Sequence, residues 1–403
     1  MSNTAVTCSI VAKMTLPILE NMCVFARNAN RDYEDEFTGN MSRGYAPGST
    51  INIKKPPRYT YRTGRVASPQ ATTETSVPLT LSQGGCDLNF NGLERTLSFT
   101  KLEDKIAAAV AAVANKIDFD GLTLARLATY NAVGTVGTLP NTQATALAAA
   151  TAVNQRLDEM AAPRDRQRFL TLSPGMNGAM IQGTAGLFNA AAKIGEQYGS
   201  GMMVDSLGLV YGMDQNVGVH TNGTQAAATA TVSGAGQTGA AITCSALTGT
   251  ILAGTVLTFA GCNAVNPQNR TTTGNLMQFV VTADCAASAT SIPISPAIVT
   301  SGAFQNVTAS PTNGGTITIL GAASASYQTN IGCHKNAFTL AMVPMYAPPS
   351  GTVGAKVSQQ TNNGFTVKVT EYYDGTNDNY NMRLDVLYGW AATYPELSCK
   401  LVA

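Results

Sequence analysis

The spacing of apolar residues changes along this chain and divides it into helical and extended segments. Between residues 99 and 130, apolar residues recur at three- and four-residue steps, which is typical of one buried stripe along a helix. The stripe consists of Leu102, Ile106, Val110, Val113 and Ile117, continued by Leu124 and Leu127. Thr100 and Glu103 form a capping box at its start. A helix of about 30 residues is about 45 Å long, so we expect it to be the spine of a domain.

Other segments predict shorter elements. A second helix is predicted over residues 142–162, where Pro163 stops it, and a looser helix over 175–192. Apolar runs predict strands at 168–172, 207–219, 337–343, 365–373 and 380–388. The last two strands are separated by Asp374, Gly375 and Asn377, whose residue types favour a hairpin turn.

The block between His220 and His334 almost lacks charge. Apart from cysteine thiols and Tyr327, its ionisable side chains are Arg270 and Asp284. Short β runs separated by Gly, Asn and Pro occur at 228–232, 251–260, 276–282, 291–294 and 316–320. This pattern predicts a small barrel or sandwich. Both flanks return to ordinary mixed charge, so we interpret residues 222–333 as an all-β domain inserted into another domain.

The overall composition excludes several classes of protein. The 403 residues are 44% hydrophobic and 12% charged, with a net charge of +1. Bulk electrostatics therefore predict no strong attraction to nucleic acid or to an anionic membrane. No stretch approaches the roughly 20 apolar residues of a membrane span. The N-terminus lacks the basic segment and apolar core of a secretion signal, which predicts folding in a cytoplasm.

Residues that could carry catalysis or bind a metal are scarce. The chain has two histidines, and its eight cysteines form neither a C-x-x-C pair nor a zinc-type spacing. It has no nucleophile elbow, zincin or P-loop motif. We therefore expect no enzyme, no cofactor and no metal. The histidines are expected at domain junctions, and the cysteines as reduced, half-buried thiols.

A proline-rich segment carries concentrated positive charge. Residues 38–73 contain no acid, and an alternating run at 58–62 predicts an extended β-ribbon with arginines on one face and tyrosines on the other. Its candidate contact residues are Lys54, Lys55, Arg58, Tyr59, Tyr61, Arg62 and Arg65. An acidic cluster precedes it, formed by Asp32, Glu34, Asp35 and Glu36.

Three interpretations of the basic segment are open. Interleaved Lys, Arg and Tyr suit a nucleic-acid binder. A charged edge also blocks unwanted strand pairing. The interpretation we favour is an arm that docks on a neighbouring subunit, with the acidic cluster as candidate acceptor. Prolines stiffen the segment, and its charge is balanced nearby in sequence.

The order of these parts resembles the major capsid proteins of tailed double-stranded-DNA bacteriophages, with the Hong Kong 97-like fold. The closing stretch Tyr388-Gly-Trp-Ala-Ala-Thr-Tyr-Pro-Glu-Leu and the segment His334-Lys-Asn-Ala-Phe-Thr-Leu-Ala look like their counterparts in that family. The block containing Leu252-Ala-Gly-Thr-Val-Leu-Thr-Phe-Ala-Gly261 and continuing to Arg270 resembles the extra β domain of short-tailed-phage coat proteins.

This resemblance implies an α+β fold with an inserted all-β domain and a specific division of the chain. The implied parts are an N-terminal arm (1–37), an extended β loop (38–98), a spine helix of a peripheral domain (99–130), the first part of an axial domain (131–221), the inserted β domain (222–333), and a completion of the axial and peripheral domains with a C-terminal strand hairpin (334–403). Covalent cross-linking between subunits is not implied, because no residue pair here matches its context.

The implied function is a structural protein that self-assembles into an icosahedral capsid around phage double-stranded DNA. Implied partners are further copies in hexamers and pentamers, portal and scaffolding proteins, a candidate decoration protein, and packaged DNA on the inner face, with no membrane. The implied location is the virion, after assembly in the bacterial cytoplasm. The alternative is another β-rich virion protein such as a tail tube, fibre or adhesin, which the spine helix disfavours. A shell of cellular origin is a weaker alternative, and an enzyme is the weakest.

Overall fold

The computed structural model describes residues 15, 19, 23–34, 36–37, 48–67, 69–72, 74–91, 102–185, 200–203, 205–346, 356–362 and 365–403. The predicted N-terminal arm lies largely outside these residues. The capping residue Thr100, the end of the helix predicted over 175–192, and Asp35 also lie outside them.

The main helices are α1 (Leu102–Ala128), α2 (Gln143–Glu159) and α3 (Pro174–Thr184). Strands in the first half of the chain are β1 (Thr50–Lys55), β2 (Thr75–Thr80), β3 (Ser82–Asn91), β4 (Ala132–Gly134), β5 (Arg168–Leu172), β6 (Val210–Met213) and β7 (Val219–Thr221). Strands in the second half are β8 (Gly239–Thr243), β9 (Val256–Val265), β10 (Thr272–Val281), β11 (Ser291–Ile298), β12 (Ile317–Ile319), β13 (Ser326–His334), β14 (Phe338–Met342), β15 (Lys356–Asn362), β16 (Phe365–Asp374), β17 (Asn379–Ala392) and β18 (Ser398–Val402).

The chain divides into two compact units. Unit 1 contains Met1–Ile53, Ser76–Gly121 and Thr339–Ala391. Unit 2 contains Lys54–Thr75, Leu122–Phe338 and Ala392–Ala403. Each unit therefore draws on distant parts of the sequence, which the composition of the chain alone does not reveal.

Unit 1 is built on a five-stranded sheet packed against helix α1. The strands run β14-β17-β16-β15, and β3 pairs with β17. β16 and β17 form a hairpin in which Asp374 lies opposite Asn379. The apolar stripe of α1 reaches the core through Val110, Val113 and Ile117, which are buried with the inward residues of β16 and β17. The Ala-rich turns of α1 favour helix and keep it slim enough to lie close to the sheet.

A buried carboxylate joins α1 to the segment that precedes the acidic cluster. Asp118 is 1% exposed, and its oxygens accept backbone N–H bonds from Val24 (2.6 Å), Phe25 (3.2 Å) and Ala26 (2.9 Å). These amides open a short 3₁₀ turn at Ala26–Asn28. An ionised acceptor in this position satisfies several backbone donors at once, which is stronger than neutral hydrogen bonding.

The lone tryptophan of the chain fixes the same part of α1. The indole Nε1 of Trp390 donates to the backbone oxygen of Ile117 at 3.1 Å, and the ring lies 5.5 Å from that of Phe25. A Cβ at Gly121 would lie 2.6 Å from the indole ring. Glycine at this helix position therefore lets the indole approach the backbone, despite the helix propensity it costs.

We expect Asp118→Ala to lower the free energy of unfolding by about 3 kcal/mol, because several buried amides lose their acceptor. Urea denaturation of the unassembled subunit measures this change. Asp87→Ala is the control, since Asp87 is largely exposed, and it should change the stability by less than about 0.5 kcal/mol. Equal effects of the two substitutions would contradict the assigned role of Asp118.

Unit 2 contains a six-stranded core sheet in the order β4-β18-β13-β5-β6, with β7 paired to β13. The core sheet is mixed: β13 is antiparallel to β18 and β5, whereas β4 and β6 are parallel to their neighbours. Helix α2 begins at its N-cap Thr142, whose side chain accepts from the amide of Thr145. The helix packs on β13, where a Cβ at Gly332 would lie 2.6 Å from Val153.

The insertion forms its own five-stranded antiparallel sheet, ordered β12-β9-β10-β11-β8. Its core includes Phe259 and Phe279, whose ring centroids are 5.2 Å apart, and it also takes in Tyr130 and Met160 from outside the insertion. The predicted run at 228–232 contributes only isolated bridges at Thr231 and Val232. Residue 333, the predicted end of the insertion, lies within β13 of the core sheet.

The insertion is tied to the rest of unit 2 by polar contacts to backbone atoms. Gln278 holds both backbone groups of Ala132: its Oε1 accepts from the amide and its Nε2 donates to the carbonyl, each at 2.8 Å. Within the insertion, the side-chain Nδ2 of Asn222 donates to the carbonyls of Leu320 (2.7 Å) and Ala322 (3.0 Å) and so joins its first residues to its last. The two bonds of Gln278 replace water on the backbone groups of Ala132, which is buried.

Buried nitrogen groups meet where the insertion joins the core sheet. Lys400 on β18 is 1% exposed, and its Nζ donates to the carbonyl of Gly254 at 2.9 Å. His220 on β7 lies 3.4 Å from Arg126 and 3.0 Å from Thr255. Because the guanidinium only donates, Nδ1 of His220 accepts from it and Nε2 donates to Thr255.

Burial lowers the pKa of both titratable nitrogens at this junction. It lowers the pKa of Lys400 to about 7, with the charge of Arg126 acting in the same direction. It lowers the pKa of His220 to about 4, helped by the charges of Lys400 and Arg126. His220 is therefore neutral at pH 7, which matches its role as both acceptor and donor.

We expect Lys400→Met to stabilise the subunit more at pH 6 than at pH 10. The pKa of Lys400 in the folded subunit (about 7) lies below its ordinary value of 10.5, so the unfolded chain binds more protons between these two pH values and stability rises with pH there. The methionine removes this dependence, on the order of 2–4 kcal/mol across the window. Thermal unfolding from pH 6 to 10 measures it.

The control for this experiment is Lys116→Met, on the exposed side of α1. It should shift the melting temperature by a similar small amount at every pH. If the difference between Lys400→Met and the original chain does not change with pH, the burial of a titrating lysine at this site is contradicted.

The cysteines present in the described residues are free thiols. Six of them are buried and Cys86 is partly buried. Burial raises the pKa of Cys262, Cys333 and Cys399 to about 12, which keeps these thiols protonated and unreactive. None of the helices in the described part of the chain is sufficiently long and apolar to cross a membrane.

Candidate functional site

The basic segment is a loop whose two ends are held together. β1 and β2 form a two-stranded sheet on either side of it. Outside the strands, Leu81 donates its amide to the carbonyl of Ser49 at 2.8 Å. Lys54 forms an ion pair with Glu74 at 3.0 Å, with both side chains exposed. Within the predicted extended β loop (38–98), we reserve the name extended loop for residues 54–75. These contacts close its base.

The strand predicted at 58–62 is absent, which corrects that part of the sequence analysis. β1 ends at Lys55, and residues 56–63 have no regular structure. Pro56 and Pro57 follow β1 directly and lack the N–H groups that a strand ladder needs. The loop is therefore extended but is not a β-ribbon over its arginines, and it is organised by side-chain contacts instead.

The first part of the extended loop lies on other parts of unit 2. Arg58 pairs with Glu396 at 3.2 Å, and its guanidinium lies 5.7 Å from the ring centroid of Phe304. Lys55 lies with its Nζ 5.2 Å from the ring of Tyr394. Burial lowers the pKa of Lys55, opposed by the charge of Glu396. Two of the predicted contact residues are thus engaged within the subunit.

The outer part of the loop is closed by one glutamine. Gln70 receives bonds from the amide (2.8 Å) and hydroxyl (2.9 Å) of Thr60, and its Nε2 donates to the Thr60 carbonyl at 2.6 Å. The hydroxyls of Tyr59 and Thr72 lie 3.1 Å apart. This cross-linking of opposite sides of the loop gives the tip between them a defined shape without strand pairing.

The tip presents aromatic, aliphatic and basic side chains to solvent. Tyr61 is 92% exposed and Val66 is 84% exposed. Arg62 folds back on the tip and donates to the carbonyls of Gly64 and Val66, the latter at 2.8 Å. Arg65 is also exposed. Tyr and Arg are enriched at the energetic centres of protein interfaces, so this combination fits a contact with another protein.

The candidate acidic acceptor lies in unit 1, and the structure describes Asp32, Glu34 and Glu36 of its four residues. Glu34 accepts a bond from the amide of Met342 at 3.1 Å, so it contributes to the fold of its own subunit. Asp32 and Glu36 are exposed. Burial and the charges of Asp32 and Glu36 raise the pKa of Tyr33, which indicates a locally negative surface.

The histidines have structural surroundings. Both are buried, and His334 lies 3.1 Å from Asp165 through its Nε2. Among the described residues, no three His, Cys, Asp or Glu side chains are grouped so that they could hold a metal ion. The arrangement of the loop described above can bind a partner surface.

Several residues that organise the loop were not singled out from the sequence. Glu396 and Phe304 are distant from the loop arginines in sequence. Gln70 lies within the loop but belongs to no recognisable local motif. Arg270 did stand out as a rare charge in the insertion, and its Nη2 donates to the carbonyl of Tyr59 at 3.0 Å. The scarcity of charged residues in the insertion draws attention to Arg270, but it does not predict that Arg270 contacts the extended loop.

We expect Gln70→Ala to loosen the outer loop, because three hydrogen bonds to Thr60 are lost. Amide hydrogen exchange at residues 59–66 of the unassembled subunit should become roughly tenfold faster, as expected for a loss of about 1.4 kcal/mol of local stability. Gln83→Ala, at an exposed position of β3, is the control and should leave this exchange unchanged. Unchanged exchange in Gln70→Ala would contradict the closure.

Comparison with known proteins gives one family match over almost the whole chain. The family described as "P22 coat protein - gene protein 5" matches residues 1–401. No curated protein matches the chain significantly.

Similar solved structures come from several sources. A structure from Mycobacterium phage Che8 is 13% identical, covers 94% of this chain and 90% of that chain, and has a TM-score of 0.49. The capsid structure of cyanophage P-SCSP1u is 10% identical, covers 88% and 83%, and has a TM-score of 0.43. A virus-like particle from Pyrococcus furiosus is 7% identical, covers 97% of both chains, and has a TM-score of 0.41.

Proposed function

The chain belongs to the P22 coat protein family, and we propose that its extended loop is a contact by which one subunit of the shell binds the next. The protein is a phage major capsid protein with the α+β Hong Kong 97-like fold and an inserted β domain. Its copies form the icosahedral shell of the virion, and it is a structural protein, not an enzyme. The tail-tube, fibre and adhesin alternative is therefore not supported.

The exposure of the loop tip carries this proposal. Tyr61 and Val66 are nearly fully exposed in the single subunit. Removing apolar surface from water lowers the free energy, so binding of the tip to a neighbour would be favourable. The closed base and the Gln70 contacts restrict the tip before it meets a partner, so binding costs less conformational entropy. Arg62 and Arg65 add positive charge, which steers the tip towards an acidic surface.

The acceptor we propose is the acidic cluster of a neighbouring copy. Asp32 and Glu36 are exposed. Glu34 is committed to the amide of Met342 and would act through its charge only. Arg58 is engaged with Glu396. The main charge complementarity is therefore between Arg62 and Arg65 on one subunit and Asp32 and Glu36 on the next.

The remaining partners follow from assembly of such a shell. We propose hexamers and pentamers of this chain, a portal protein and a scaffolding protein, and double-stranded DNA packaged against the inner face. A decoration protein is a further candidate partner. The support for these is the membership of the coat protein family.

We expect the combined change Arg62→Glu and Arg65→Glu to prevent or deform assembly while the subunit stays folded. Each reversal places like charges at the proposed contact, which costs affinity. Electron microscopy of purified particles and sedimentation velocity of the subunit measure assembly, and circular dichroism checks the fold. The pair Arg62→Lys and Arg65→Lys keeps the charge and should still assemble.

A compensating change tests the acceptor separately. Asp32→Lys with Glu36→Lys should block assembly alone and restore it when combined with the glutamate substitutions at Arg62 and Arg65. Normal shells from the loop reversals would refute the docking loop. Failure of the combined variant to assemble would refute the acidic cluster as acceptor and leave the docking loop standing.

A further inference from the structure

Arg270, the only arginine of the inserted block, reaches the backbone of the extended loop. We infer that the insertion clamps the loop of its own subunit through Arg270 and Phe304 and thereby sets the direction of the tip. The importance of that direction for assembly rests on the docking loop proposed above. The clamp itself lies within one subunit and can be tested without assembly.

Arg270 is placed by a tight turn between β9 and β10. Its amide donates to the carbonyl of Asn266 at 2.9 Å, and the amide of Asn266 donates to the carbonyl of Thr271 at 2.9 Å. Arg270 has φ of 57°, in the left-handed region that non-glycine residues seldom adopt. A non-glycine residue in this conformation has a backbone strain energy, which the contacts of Arg270 must offset.

The guanidinium of Arg270 bridges the loop and the insertion. Nη2 donates to the carbonyl of Tyr59 at 3.0 Å and to that of Ala303 at 3.4 Å. Its Nε has no hydrogen-bond partner among the described residues. A guanidinium carries several donors in a fixed plane, so it can hold two carbonyls from different segments at the same time.

Arg58 supplies the second half of the clamp. It stacks towards Phe304, the residue after Ala303, and pairs with Glu396. The insertion therefore holds the loop at two successive positions, the side chain of Arg58 and the carbonyl of Tyr59. The tip begins directly beyond them at Tyr61, so its direction depends on these contacts.

The loop is held at these points by polar contacts more than by close packing. A cavity of about 450 Å³ is lined by Arg58, Tyr59, Pro267, Arg270 and Tyr394, among others. Tight packing would distribute the energy over many contacts, whereas a loop beside such a cavity depends on the few bonds that span it. Loss of the Arg270 guanidinium should therefore release the loop without unfolding the insertion.

The loop arginines allow a direct test by trypsin cleavage of the unassembled full-length subunit. In a background with Arg62→Gln and Arg65→Gln, Arg58 is the remaining arginine of the loop. We expect Arg270→Gln to accelerate cleavage after Arg58 roughly tenfold, because a hydrogen bond from a charged donor to the loop is lost. Mass spectrometry identifies the cleaved bond, and near-UV circular dichroism verifies the fold.

Asp284→Asn is the matched control, since Asp284 is the other charged residue of the block and accepts from the amide of Ala253 instead. It should leave cleavage after Arg58 unchanged. Arg270→Lys keeps the positive charge but loses the planar guanidinium that reaches both carbonyls, so it should be cleaved at a rate close to that of Arg270→Gln. A folded Arg270→Gln subunit that is cleaved no faster than its background would overturn the clamp.

Assembly provides a separate readout. With the loop arginines intact, Arg270→Gln should reduce the yield of regular shells, whereas Asp284→Asn should not. Faster cleavage combined with normal shells would support the clamp and refute the idea that assembly depends on the direction it gives to the tip. Normal cleavage combined with failed assembly would overturn the clamp and leave the docking loop untouched.

Discussion

The structure of unit 2 depends on one strand pairing at the neck of the insertion. β7 leads into the inserted domain and β13 leads out of it, and they pair directly, with Thr221 opposite Ser326. A domain can be grafted into another only where its two ends lie close together, and this ladder provides that closeness. β13 then continues between β18 and β5 as a central strand of the core sheet. The return strand of the insertion is thus also part of the core.

This arrangement explains why charged and polar side chains are buried at the neck. Lys400, His220 and Thr255 lie where the core sheet meets the start of β9 in the inserted sheet, and each has a hydrogen-bond partner there. Buried polar groups stabilise a structure only when they are satisfied. Their partners come from both the core and the insertion, so the network is complete only when the two are correctly docked. It therefore favours one relative placement of core and insertion within unit 2.

Local patterns predicted the long elements well and the neck poorly. The stripe on α1, the hairpin of β16 and β17, and the β character of the block all follow from short-range periodicity and turn chemistry. β8 was missed because its residues, Gly-Ala-Ala-Ile-Thr, carry little apolar periodicity. β13 was missed because Ser326–His334 is almost wholly buried in its second half and shows no alternation. Strand 58–62 was predicted from alternation, but Pro56 and Pro57 prevent its pairing.

The candidate site shows the same division between composition and geometry. Basic residues mark the loop in the sequence, but their partners Glu396, Phe304 and Arg270 lie more than 200 residues away, and only the fold brings them together. The contact between Arg270 and the loop offers a physical reason for the low charge of the insertion. A surface with few charges offers few competing carboxylates, so the guanidinium of Arg270 is left to main-chain carbonyls. The hydrogen bond from Arg270 to the Tyr59 carbonyl depends on the path of the loop backbone and not on the Tyr59 side chain. Such a contact is suited to orienting the loop tip, whose side chains remain available for a neighbouring subunit.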